Sequence, residues 1–73
     1  IAEIAVPDSL DNLTLRQLNS RARYGCSVVA LHKDNKVIIA PQADDVLNER
    51  DLMVVIGTNQ QVERFEKEIT DND

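Results

Sequence analysis

The sequence predicts a small two-layer α+β domain with the element order β-α-β-β-β-α and a mainly antiparallel sheet. Three observations lead to this class: short apolar runs that turn residues separate, two capping motifs that each precede an amphipathic helical stripe, and two β-rich runs joined by a two-residue turn. At 73 residues the chain is a single domain, residues 1–73. An apolar core of that size leaves only roughly 3–5 kcal/mol of net stability, so we expect a partner surface.

Composition and net charge make several classes of function less favoured than others. The formal net charge of −5, from 13 acidic and 8 basic side chains, predicts repulsion of a phosphate backbone, so we expect no nucleic-acid polymer as a partner. The one cysteine, Cys26, cannot form an internal disulfide, which favours a reducing, cytoplasmic compartment. No apolar run approaches the roughly 18–20 residues that cross a bilayer. Because the first residue is Ile1 and not Met, we interpret the chain as a piece of a longer polypeptide.

The first strand is predicted at residues 2–7. Ile4 and Val6 share one face of it, and Pro7 ends it because proline has no N–H for the ladder. Residues 8–12 are predicted to form a loop.

A helix is predicted from Thr14, which forms a capping box with Gln17. Apolar side chains then recur at i, i+3 and i+7, which is typical of one buried helical face. They are Leu15, Leu18 and Ala22. Gly25 ends this helix, which we expect to make about three turns.

A β-hairpin follows. Residues 27–33 and 36–40 are its strands, and Asp34 and Asn35 form the turn, for which we predict type I′ because both side chains tolerate a positive φ. Pro41 ends the second strand.

Residues 42–50 are polar apart from Val46 and Leu47, which we expect to anchor a single turn against the core. Residues 51–57 (DLMVVIG) are apolar on both faces and therefore predict a central strand.

The last helix is predicted to begin with a second capping box, formed by Thr58 and Gln61. Its apolar stripe again has the spacing i, i+3 and i+7. The stripe consists of Val62, Phe65 and Ile69. Residues 70–73 are expected to be frayed.

A catalytic Cys–His pair is disfavoured by spacing. Cys26 and His32 lie six residues apart on one strand, which separates them by about 20 Å. We interpret them as a small buried thiol and a partly exposed imidazole.

An acidic loop offers carboxylate oxygens that suit a hard cation such as Ca²⁺. It consists of Asp44, Asp45, Glu49 and Asp51. The loop lacks the ligand spacing and central glycine of an EF-hand, and Arg50 lies within it, so we favour a solvated turn. The sequence also has no His/Cys cluster for zinc and no glycine-rich phosphate loop.

The hairpin carries more apolar surface than one small sheet face and two short helices are expected to cover. Its apolar residues are Val28, Val29, Ala30, Val37, Ile38 and Ile39. A two-fold dimer is the commonest way to bury such a surface. Polar groups that can donate to an anion lie beside it, namely His32, Lys33, Asn35 and Lys36. The alternative is a polar hairpin end that only keeps the strand edges soluble.

Several motifs in fixed order resemble one family. They are the T-L-x-x-L helix opening, the R-x-R-Y-G step into V-V-A-L, the V-I-I-A-P arm, and the D-L-x-V-V-I-G strand followed by V-x-x-F-E-K. Together they resemble the C-terminal domain of regulator of potassium conductance proteins, the RCK-C or TrkA-C family, over nearly the whole chain. One departure is Arg50, which stands in a tight turn where the family commonly has glycine.

The resemblance implies a dimerising domain that follows a dinucleotide-binding domain. Its parents are cytosolic subunits or tails of potassium transporters, potassium channels and cation/proton antiporters, at the inner face of the membrane. In some members cyclic di-AMP lies in the cleft between two C-terminal domains. Carried onto this sequence, the matching positions are Val28, Val29, Ala30, His32, Asn35, Val37, Ile38 and Pro41.

The sequence therefore leaves three hypotheses open. The leading one is a regulatory module that binds cyclic di-AMP and acts on a membrane-embedded cation transporter or channel. The second is a purely structural dimerisation module whose parent senses ligands elsewhere. The third, an enzyme, requires a two-fold axis that brings Cys26 of one chain against His32 of the other.

Overall fold

The computed structural model describes residues 1–70 and has the predicted α+β class. Its strands are β1 (Ala2–Ala5), β2 (Ser27–Lys33), β3 (Lys36–Ile39) and β4 (Leu52–Ile56). Its α-helices are α1 (Leu15–Leu18), α2 (Ser20–Tyr24) and α3 (Asn59–Thr70), and a short 3₁₀ helix covers Asp8–Leu10. Residues 71–73, part of the tail predicted to be frayed, lie outside the described residues.

The four strands form one antiparallel sheet in the order β1-β4-β2-β3. The predicted central position of the fourth strand is confirmed, since β4 pairs with β1 on one side and β2 on the other. The register of β2 against β4 shifts at Val29, because Val28 faces Val55 while Ala30 faces Val54. This bulge lies at the end of the hairpin nearest the helices.

One face of the sheet packs against the helices and forms the core. Ile4 and Val6 are both 2% exposed, as their predicted shared face requires. The core also takes in Leu31, Met53 and Val55 from the sheet, with Leu18, Tyr24, Phe65 and Ile69 from the helices. The opposite sheet face, which we call the outer face, has no helix of the described residues across it.

The first helix differs from its prediction. The capping box of Thr14 and Gln17 is present, but the helix breaks into α1 and α2 at Asn19, whose φ is +53°. The break turns Ser20 inward, where its hydroxyl donates to the carbonyl of Cys26 at 2.9 Å. It also turns Ala22 out to solvent, so the expected continuous stripe is wrong beyond Leu18.

The end of α2 follows its prediction. Gly25 has a φ of +74° and ends the helix. A Cβ at this position would lie 2.5 Å from the side-chain nitrogen of Gln61, at the start of α3. Gln61 itself accepts from Thr58 N–H at 2.8 Å and donates its own N–H to the Thr58 hydroxyl at 3.1 Å, which confirms the second capping box.

The hairpin turn is not of type I′. Positive φ among the non-glycine residues described occurs at Asn12, Asn19, Ala40 and Arg50, but at neither central turn residue. Asp34 and Asn35 tolerate the left-handed region without requiring it, and ordinary right-handed turns are open to both. β3 also ends one residue early, at Ile39.

Residues 42–51, which we call the strap, run from the end of the hairpin back to β4 and form two tight turns, in which Asp45 N–H donates to the Gln42 carbonyl and Asp51 N–H to the Asn48 carbonyl, both at 3.0 Å. The strap is also tied to the start of the first helix: Leu15 N–H donates to the Asp45 carbonyl at 3.0 Å, and Leu47 N–H to the Leu13 carbonyl at 2.7 Å. Leu47 is the predicted core anchor and is fully buried, whereas Val46 remains 39% exposed. Arg50 closes the strap with a φ of +80°, a conformation that glycine would adopt with less strain.

No helix within residues 1–70 combines the length and apolar character needed to span a bilayer.

Candidate ligand cleft

Some of the residues predicted to contact a ligand meet in one cleft, between α1–α2 and the end of the hairpin. This helix–hairpin cleft has a volume of about 700 Å³. It is lined by Leu15, Arg16, Asn19, Ser20, Arg21, Ser27, Val28, Val29, Ile39, Ala40, Pro41 and Ala43. Of the predicted residues it contains Val28, Val29 and Pro41. Ala30 lies just outside it on the outer face, and Ile38 packs toward the core.

The other predicted residues lie at the opposite end of the hairpin. His32, Asn35 and Val37 line a second concavity of about 480 Å³, which we call the hairpin-tip cleft. Its full lining is His32, Lys33, Asp34, Asn35, Lys36, Val37, Arg50 and Leu52. Along β2, Val29 and His32 are three residues apart, or about 10 Å, so the predicted residues divide between two neighbouring concavities.

The helix–hairpin cleft combines an apolar lining with a few cationic groups. Val28, Val29, Ile39 and Pro41 supply apolar surface from the hairpin. Arg21, on α2, is exposed, and its Nε donates to the Ser27 hydroxyl at 3.2 Å. This bond holds the guanidinium across the end of β2, with its other N–H groups open to a ligand.

A second arginine of the cleft, Arg16, forms an ion pair with Asp44 of the strap. Their side chains are 66% and 81% exposed, so solvent screens the pair and its contribution to stability is small. No salt bridge within residues 1–70 engages Arg21. Of the two, Arg21 is therefore the cation better suited to an incoming anion.

Two of the four non-glycine residues with positive φ in residues 1–70 line this cleft. Asn19 and Ala40 both line it, and both have left-handed φ angles, +53° and +52°. Such a conformation costs an L-residue roughly 1–2 kcal/mol, with asparagine among the more tolerant residues. Strain of this kind is frequent where a protein holds a ligand.

The hairpin-tip cleft is polar and tied to the strap. Lys33 Nζ forms an ion pair with Asp51 and donates to Asn48 Oδ1 at 3.0 Å. Asp51 also accepts from the backbone N–H of Asn48 at 3.0 Å. The side chains of Lys33 and Asp51 are only 19% and 10% exposed. The ammonium group of Lys33 is thus committed to the fold rather than open to a ligand.

The outer face of the sheet is apolar and partly uncovered. It presents Ala30, Val37, Ile39, Leu52, Val54 and Ile56. Ile39 is 73% exposed, the highest value among these side chains. Because Ile39 also lines the helix–hairpin cleft, the apolar surface continues from the cleft onto the outer face.

Cys26 and His32 are far from a nucleophile–base arrangement within the chain. Cys26 is fully buried before β2, and burial raises the pKa of its thiol. His32 is exposed on the outer face, opposite Val37 and Leu52. A buried thiol with a raised pKa is a weak nucleophile.

Three of the four carboxylates of the acidic loop bind separate protein groups. Asp44 pairs with Arg16, and Asp51 pairs with Lys33. Asp45 accepts from the backbone N–H of Gln42 at 2.7 Å. In residues 1–70, no three His, Cys, Asp or Glu side chains are grouped to hold a metal.

Sequence reasoning missed the polar side of the cleft. On one continuous helix, Arg21 points to solvent away from the apolar stripe, and nothing links it to Ser27. Two residues could have indicated this arrangement. Asn19 tolerates the left-handed conformation at which a helix breaks, and Gly25 reverses the chain so that Ser27 lies beside α2.

The family model of the TrkA-C domain matches residues 1–70. Among curated proteins, the chain is similar to the Ktr system potassium uptake protein C of Bacillus subtilis (strain 168). The two are 36% identical over 69 residues, which make up 94% of this chain and 31% of that protein. The chain therefore spans about a third of the length of this relative.

The fold is also similar to solved structures. One is the RCK C domain of the potassium transport protein KtrA in complex with cyclic diadenosine monophosphate, with a TM-score of 0.90 and 28% identity over 93% of this chain and 80% of that one. Another is S. agalactiae BusR in complex with its busAB-promoter DNA, with a TM-score of 0.84 and 22% identity over 96% of this chain and 35% of that one. The second likeness shows a shared fold alone.

Proposed function

The chain belongs to the TrkA-C domain family, and we propose that it is a regulatory domain of a potassium transport protein that dimerises and binds cyclic di-AMP. Its role is binding rather than catalysis. The observation that carries the proposal is the helix–hairpin cleft, in which an apolar lining meets the guanidinium of Arg21, a group that forms no salt bridge within residues 1–70. The parent is a membrane-embedded cation transporter or channel, or its subunit, with this domain on the cytoplasmic side. Avoidance of nucleic-acid polymers stays a prediction from the net charge.

The chemistry of the ligand suits this cleft. Cyclic di-AMP has two adenine rings with apolar faces and two phosphodiester anions. The rings match Val28, Val29 and Pro41, while Arg21 can donate two parallel hydrogen bonds to a phosphate. The volume of about 700 Å³ falls within the range of roughly 300–1,000 Å³ that small-molecule sites occupy.

A two-fold dimer would double the site. Cyclic di-AMP is itself two-fold symmetric, so two copies of the cleft can contact equivalent halves of one ligand. The uncovered apolar outer face, continuous with the cleft at Ile39, supports self-association through this side of the molecule. Because the two-fold axis passes through the ligand, His32 and Asn35 of both protomers then lie equally far from its centre.

Regulation follows if the ligand prefers one arrangement of the two protomers. Binding can shift an equilibrium only by the difference between its affinities for the two states, which is typically about 1–3 kcal/mol. When both protomers contact one ligand, the two arrangements differ in affinity for it, because separating or rotating the protomers breaks the contacts from one of the two.

Calorimetric titration of the dimeric chain with cyclic di-AMP tests the proposal. We expect one ligand per dimer, and an affinity at least tenfold lower in Arg21→Ala, since a charge-assisted hydrogen bond contributes about 1.5–3 kcal/mol. Arg64→Ala is the matched control, because Arg64 pairs with Glu68 on α3 away from the cleft. Cyclic di-GMP tests base selectivity.

The outcomes separate the hypotheses. Absence of binding heat with a confirmed dimer rejects the ligand and leaves a purely structural dimerisation module. Binding that Arg21→Ala leaves unchanged, while His32→Ala or Asn35→Ala abolishes it, moves the site to the hairpin tip.

A further inference from the structure

Ala40 has an unusual backbone conformation for its residue type. Its φ of +52° lies in the left-handed region, where alanine has no side-chain group to offset the strain. Its side chain is exposed, so burial of the methyl group does not explain the conformation. The surrounding backbone must therefore hold it.

Two backbone hydrogen bonds tie the ends of the segment 40–43 to its neighbours. Ala40 N–H donates to the carbonyl of Val29 at 2.9 Å, and Arg16 N–H donates to the carbonyl of Ala43 at 3.0 Å. Val29 is the bulged residue of β2, skipped in the register with β4. The segment 40–43 is thus tied to the bulge at one end and to α1 at the other.

The consequence is a fixed cleft wall. The left-handed turn at Ala40 directs the chain out of β3, so that the half-buried ring of Pro41 lines the cleft beside Val29. An extended conformation at Ala40 would instead continue the hairpin in the direction of β3 and remove this wall. The left-handed conformation of Ala40 therefore determines the shape of the cleft at this wall.

We propose that Ala40, together with the Val29 bulge, is a positioning element that holds the helix–hairpin cleft in its ligand-binding shape before the ligand arrives. The inference rests on the proposed function. A wall that is already ordered avoids the entropic cost of ordering it on binding, so affinity depends on the φ preference of residue 40 and not on its side-chain contacts.

Three substitutions at this position test it by calorimetry with cyclic di-AMP. Ala40→Val, β-branched and strongly averse to positive φ, should lower the affinity at least tenfold. Ala40→Gly permits the turn without enforcing it and should lower the affinity several-fold while the melting temperature holds or rises. Ala40→Asn favours the left-handed region and should retain the affinity within about twofold.

The matched control is Asn12→Val, which puts the same β-branched side chain at a φ of +69° outside both clefts. It should lower the melting temperature and leave the affinity unchanged. If Ala40→Val and Ala40→Gly bind as tightly as the parent chain, or if Ala40→Asn loses as much affinity as Ala40→Val, the positioning role is refuted while the proposed function stands. If the parent chain itself does not bind, the proposed function fails first and this inference with it.

Discussion

The two ends of the hairpin differ in what their polar groups do. At the tip, Lys33 and Asp51 are largely buried and bond to each other and to Asn48. At the helix end, Arg16 and Asp44 form an exposed pair, and Arg21 bonds only to a hydroxyl among the described residues. Lys33 and Asp51 are therefore committed to the fold, whereas Arg21 forms no salt bridge within residues 1–70.

The two ends of the hairpin also differ in their apolar surface. The helix end offers Val28, Val29 and Pro41 in one concavity, and its backbone is strained at Asn19 and Ala40. Six of the eight residues that line the tip cleft are polar, and one of them, Arg50, also has a left-handed φ of +80°. A site for a small organic ligand needs apolar area with a few well-placed polar groups, so the comparison favours the helix end for binding and the tip for stability.

Breaking the buried ion pair at the hairpin tip should have the largest effect, which we expect on the stability of the fold. Asp51→Ala leaves the Lys33 ammonium unpaired in a largely buried position, and we expect a loss of about 3 kcal/mol in the free energy of unfolding. Urea denaturation measures it. The affinity for cyclic di-AMP should not change at temperatures where the variant is folded.

Asp44→Ala is the matched control, because it breaks the exposed pair at the other end. Here we expect a change of about 0.5 kcal/mol or less. Equal losses for Asp51→Ala and Asp44→Ala would remove the contrast between the two ends.

A smaller effect is expected on self-association. Ile39→Asp introduces a charge where the cleft meets the outer face, and it should raise the dimer dissociation constant at least tenfold, or about 1.4 kcal/mol. Sedimentation velocity over a concentration series measures this constant. The folded chain should tolerate the change, since Ile39 is 73% exposed.

Val46→Asp is the corresponding control on the strap, where Val46 is 39% exposed and belongs to neither cleft. A dimer weakened equally by both substitutions, or by neither, would place the association surface elsewhere.

Features set by neighbouring residues could be predicted from the sequence. Both capping boxes need only four consecutive residues, and they occur as Thr14–Gln17 and Thr58–Gln61. The hairpin strands follow from two β-rich runs on either side of Asp34 and Asn35, and the apolar stripe of α3 follows from its hydrophobic period. The central position of β4 followed from a run that is apolar on both faces.

Features set by tertiary contacts could not be predicted. The spacing of Leu15, Leu18 and Ala22 fits one helix as well as two, and the choice between them depends on the bond from Ser20 to Cys26. The cleft is formed by α1, α2, the bulge and the strap. No local sequence pattern in any one of them predicts that it contacts the others. Family resemblance supplied candidate residues along the hairpin, but only the fold separates its two ends.

We expect the ligand to bind at the helix end of the hairpin. Titration of the ¹⁵N-labelled chain with cyclic di-AMP, followed by two-dimensional NMR, tests this residue by residue. We predict that the largest amide shifts occur at Arg21, Ser27, Val29 and Ala40. Largest shifts at the hairpin turn with these four amides unchanged, or no shifts at saturating ligand, would contradict the account.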